Sequence, residues 1–78
     1  MTERTQIEQD ATLERAVRIN DLAYEQAVLA DGNEIDMDAE QALVLNSGSL
    51  RSKSERRQFK HDFRRHMRNI AEGNPFYQ

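Results

Sequence analysis

The chain has 78 residues, of which 11 are Lys or Arg and 14 are Asp or Glu, for a formal charge of −3, and it contains no cysteine. That length supports one hydrophobic core and not two. The absence of thiols excludes a disulfide framework and any thiolate metal site, and with no apolar run longer than four residues there is neither a membrane span nor a signal-peptide core, so a soluble cytoplasmic protein is expected.

The small net charge conceals a dipole. Residues 1–50 carry eleven acids against three bases, a net of −8, whereas residues 51–78 carry eight bases against Glu55, Asp62 and Glu72, a net of +5. Seven of those cations fall between Lys53 and Arg68, so one short segment can meet an acidic partner that the rest of the molecule repels.

Helix one is predicted over about residues 6 to 30. Thr5-Gln6-Ile7-Glu8 has the spacing of a capping box, in which a hydroxyl and a carboxylate satisfy the first backbone amides of a helix. Gly32 is placed to end the helix in the left-handed conformation. Leu13, Val17, Tyr24 and Val28 fall on one stripe, while Leu22 and Leu29 lie roughly opposite. Apolar residues on two sides suggest a partner chain. The spacing Leu13, Val17, Asn20, Tyr24, Ala27 is also that of a short heptad seam, so Leu13, Val17, Asn20, Leu22 and Leu29 are the candidates for self-association as a homodimer.

The acidic stretch from Asp31 to Asp38 resembles part of the calcium-binding loop of the EF-hand family. Leu29 stands where that loop has its first acidic ligand, and no glycine follows Asn33 at the sixth position, so the stretch reads as a turn and a helix start. Helix two is predicted from about 37 to 46, capped by Asp36 or Asp38 and closed by Ser47-Gly48-Ser49. Its acids favour the N-terminal dipole.

Ser52-Lys53-Ser54-Glu55 is a second capping-box pattern and opens helix three, which runs to about residue 72 and stops at Gly73, Asn74 and Pro75. Phe59, Phe63, Met67 and Ile70 follow at steps of four, four and three and define its core face. Arg57, Lys60, His61, Arg64, Arg65 and Arg68 fall on the other half of the wheel. Guanidinium groups there can form bidentate, charge-assisted hydrogen bonds with phosphate or carboxylate.

The expectation is an all-α fold. It is one small domain over residues 1–78, with a long helix one, a short helix two and an amphipathic basic helix three, and with 1–5 and 74–78 frayed. Leu13, Val17, Leu22, Tyr24, Val28, Leu43, Phe59, Phe63, Met67 and Ile70 are the expected core.

Enzymatic chemistry finds no constellation to carry it. His61 and His66 are five residues apart, about 140° around a helix, which gives no shared metal face, and no cofactor is implied. Ser47, Ser49, Ser52 and Ser54 lack an accompanying His and acid at recognisable spacing, and there is no phosphate-cradling glycine loop or small-molecule pocket signature. A helix-turn-helix across Leu43 to Arg57 fails because its second helix offers no apolar residue before Phe59. What remains is a non-enzymatic regulatory or accessory protein that binds nucleic acid through helix three. The alternatives are a module docking on an acidic protein surface, such as an inhibitor or adaptor of the phage or mobile-element accessory type, and an assembly component.

Overall fold

The computed structural model describes the backbone of residues 2–77 and the side chains of residues 12–75 and of Tyr77. It contains three α-helices and, among the described residues, no strand. Helix α1 spans Thr2–Gly32, α2 Ala39–Leu45 and α3 Lys53–Ala71, with single 3₁₀ turns at Ser47–Ser49 and Pro75–Tyr77. No described helix is long and apolar enough to cross a membrane.

Each boundary has a local cause. Because α1 already runs from Thr2, Thr5 lies inside the helix and is not its cap. At the other end the left-handed residue is Glu34, with φ of 55°, and not Gly32. The Ile35 amide donates to the Ala30 carbonyl at 2.8 Å and the Glu34 amide to that of Asp31 at 3.1 Å. This pair of bonds is a Schellman ending, and it puts the left-handed conformation two residues beyond the glycine expected to supply it. A side chain in that conformation costs about 1 kcal/mol. Glu34→Gly is therefore expected to raise stability by up to about 1 kcal/mol in a denaturant melt, and an unchanged or lowered midpoint would show that Glu34 is not strained.

Asp38 caps α2 through a complete capping box: its carboxylate accepts the Gln41 amide at 2.8 Å, and the Gln41 side chain accepts the Asp38 amide at 3.1 Å. Asn46 then ties the end of α2 to α1 through the Gln26 side chain, at 3.0 Å. Ser52 caps α3 by accepting the Glu55 amide at 3.1 Å. The helix ends at Gly73, which takes φ of 75° in a second Schellman pattern, its amide bonded to Ile70 and that of Asn74 to Asn69. Within the segment 74–78, Pro75–Tyr77 form a turn that seats Tyr77 on Tyr24.

Helices α1 and α3 run parallel, with α2 returning between them. Arg18 of α1 reaches Glu55 near the start of α3, and Asn20 and Tyr24 meet His66 about three turns further along α3. At 1.5 Å per residue α1 is about 46 Å long and α3 about 28 Å, so α3 covers only part of its neighbour. The molecule measures 49 Å along its longest axis.

The core face of α1 is made of small residues. Ile19, Ala23, Ala27 and Ala30 recur at steps of four, four and three, and all are buried. They pack with Phe59 and Phe63 of α3, Ala39 and Ala42 of α2, and Leu50. Alanines allow a close helix approach and leave room for two large rings, which lie 6.4 Å apart and nearly parallel. The expectation that Leu13 and Val17 belong to the core is overturned, since they are 64% and 50% exposed. Phe59 and Phe63 are buried as expected, while Leu22, Tyr24, Val28, Leu43, Met67 and Ile70 are half-buried at the margin.

Candidate functional site

The amphipathic α3 divides its charges by sign. It contains two acids, Glu55 and Asp62, and both are buried on the inward face with Phe59, Phe63 and His66. Its outward face is left with cations alone.

The inward acids have specific partners. Glu55 accepts the Arg51 amide at 3.0 Å, faces the Arg18 guanidinium at 3.3 Å and has Arg15 at 3.8 Å. The Arg51 amide, followed by Arg18 and Arg15, holds its carboxyl below the usual carboxylate range against the opposing effect of burial. Glu55 thus bonds the amide of Arg51 and not that of Ser52, so the predicted capping box is formed in one direction only. Asp62 accepts from Gln58 at 2.9 Å and lies 3.6 Å from Arg65.

The six predicted contact residues split into two groups. Lys60 is paired with Glu40 of α2 at 2.8 Å, and Arg65 donates to Asn20 of α1 at 2.6 Å besides facing Asp62. These two serve the fold. Arg57, His61, Arg64 and Arg68 are exposed, and none makes a hydrogen bond or ion pair with a described residue. Lys53 is likewise exposed and unpaired among the described residues, and the helical spacing of 53, 57, 64 and 68 places them within about 60° of arc. Lys53, Arg57, Arg64 and Arg68 therefore form a ribbon of cations about 22 Å long. Lys53 was not among the predicted contacts, although its step of four to Arg57 was the signal that identifies it.

The candidates for self-association are also divided. Leu13, Val17 and Leu29 are exposed and Leu22 is half-buried. Leu13, Val17 and Leu22 line an open depression on the outer side of α1 with Glu14, Asp21 and Glu25. Asn20 does not face that side as a free seam residue. Its side-chain oxygen is committed to Arg65 and His66 within the chain.

No group of three or more His, Cys, Asp or Glu among the described residues is arranged to hold a metal ion. Comparison with known proteins finds no family model that the chain matches, and no curated protein or solved structure similar to it.

Proposed function

We propose that this protein is a non-enzymatic regulatory or accessory module that binds the phosphate backbone of a nucleic acid on the outer face of α3. The observation that carries this reading is the ribbon Lys53, Arg57, Arg64, Arg68, which has no acid on its own face and no partner among the described residues. An ordinary solvated helix surface mixes both signs, and in this helix the acids are turned inward. Glu14, Asp21 and Glu25 lie on the outer side of α1, away from its buried stripe, so repulsion from the acidic half orients the molecule with α3 toward a polyanion. No Phe, Tyr or Trp stands among those cations, which favours backbone contact over base stacking. Titration of generic duplex DNA and of RNA at low and physiological salt tests the reading. Binding that weakens linearly in log salt supports it, whereas an absence of binding at low salt, or capture by an acidic protein that DNA does not compete away, overturns it.

The exposure of Leu13 and Val17 favours a second contact, between two copies of the chain along α1. These two large apolar side chains gain by mutual burial, at about 25 cal/mol per Å² of apolar surface removed from water. Leu13→Glu with Val17→Glu is expected to give a folded monomer, and sedimentation of the unaltered chain at the mass of one copy across a wide concentration range would remove this contact.

A further inference from the structure

At the far end of α3 the chain folds back on itself around a buried histidine. The Schellman ending at Gly73 reverses the backbone, and the Tyr77 amide donates to the Asn74 carbonyl at 3.1 Å. The Tyr77 ring thereby comes to 5.5 Å from both Tyr24 and His66, and Tyr24 and His66 are themselves 5.5 Å apart. His66 is 5% exposed. Its Nε2 lies 2.9 Å from Asn20 Oδ1 and its Nδ1 2.5 Å from the Tyr77 hydroxyl, which also accepts from Asn69 at 3.2 Å.

The partners settle the tautomer. Asn20 Oδ1 receives the Arg65 guanidinium, which can only donate, so that atom is an acceptor and His66 Nε2 must donate to it as well. In the neutral ring Nδ1 is then the acceptor, and the Tyr77 hydroxyl donates to it. A proton added at Nδ1 reverses this bond. The hydroxyl would have to turn over and accept from His66 and Asn69 together, while a second cation appears beside Arg65 on the same Asn20 oxygen.

We propose that His66, Asn69 and Tyr77 form a proton-sensitive latch, which holds the C-terminal turn over Tyr24 while the imidazole is neutral and releases it when the imidazole is protonated. The groups around the ring favour the neutral state. From α3 it meets Arg65 and Asp62, from α1 the uncharged Asn20 and Tyr24, and from the turn Tyr77. Burial, and after it Arg65, push the imidazole below its ordinary value, while Asp62 and Asn20 oppose them. Asp62 is the one acid in the set, and it already bonds Gln58 and faces Arg65.

For a base whose folded-state pKa is depressed, the unfolded or released state binds the proton more readily. The contribution of the latch is complete above the ordinary imidazole value of about 6.5 and is lost as pH falls below it through the folded-state value. Heteronuclear NMR of the full chain between pH 8 and 5 tests this. At pH 8 His66 is expected as the Nε2–H tautomer, with contacts between the Tyr77 and Tyr24 rings. As His66 titrates, the signals of residues 74–77 should move to free-chain values with the same midpoint, while those of Phe59 and Phe63 stay fixed. Tyr77→Phe keeps a ring and removes the hydroxyl. It should shift the His66 midpoint upward and free the turn at pH 8. A turn that stays seated after His66 is protonated overturns the proposal, as does a Tyr77→Phe chain with an unchanged His66 midpoint.

Discussion

Phe59→Ala is expected to remove about 3–5 kcal/mol, a large share of the chain's stability. Phe59 has no exposed surface and packs with Phe63 in a core otherwise made largely of alanines. Removing a buried phenyl ring costs about 3–5 kcal/mol, the transfer term plus that of the cavity left behind. At about 0.05–0.15 kcal/mol per residue a domain of this length has only about 4–12 kcal/mol in total. Because α1 presents Ala23 and Ala27 to this region, the neighbouring side chains are too short to collapse into the void. Phe63→Ala is expected to cost on the order of 3 kcal/mol by the same reasoning. Urea unfolding followed by circular dichroism measures both, and a loss below about 1 kcal/mol at Phe59 would show that the ring is not at the centre of the core.

The two phenylalanines were legible because a step of four places them on one helix face and nothing else on α3 competes with them. The matching face of α1 was not. Leu13 and Val17 dominate any reading by side-chain size, yet they line the outer side of α1, and the buried stripe is built on alanines. Ile19, Ala23, Ala27 and Ala30 had the helical spacing all along. The deciding fact is the size of the opposing rings, which only the packed pair reveals: two phenylalanines on α3 require small residues opposite if the helices are to approach closely.

Helix ends were read well where one residue supplies the chemistry, as at Asp38, Ser52 and Gly73. They were read less well at Gly32, because the bonding pattern of the chain reversal, and not the glycine, decides which residue turns left-handed. Asn20, His66 and Tyr77 could not be joined from the sequence. Their separations of 46 and 11 residues close only when the rotation of α1 against α3 is known. The basic face was legible in outline from helical spacing, but its division was not. Lys60 and Arg65 look no different from Arg57 and Arg64 until Glu40 and Asn20 are brought beside them.

That division supplies the sharpest test of the proposed interface. Replacing Lys53, Arg57, Arg64 and Arg68 together by alanine removes four exposed side chains that make no described internal bond, so stability should change by no more than about 0.5 kcal/mol per site. Binding should change far more. If each of the four neutralises one phosphate, the unaltered protein has a salt slope of about −3.6 and loses roughly 150-fold in affinity between 50 and 200 mM salt. Each single replacement should reduce that slope by about one unit and weaken binding to all sequences alike, and the fourfold variant should bind weakly with little salt dependence. Lys60→Ala and Arg65→Ala provide the contrast. Lys60→Ala opens a surface pair worth only about 0–1 kcal/mol, and Arg65→Ala removes a donor to Asn20 and a neighbour of the buried Asp62, so the second should lower the melting temperature while leaving the salt slope nearly intact. The interface on α3 is wrongly assigned if these two weaken DNA binding as much as Arg57 and Arg64 do, or if the fourfold variant binds like the unaltered chain.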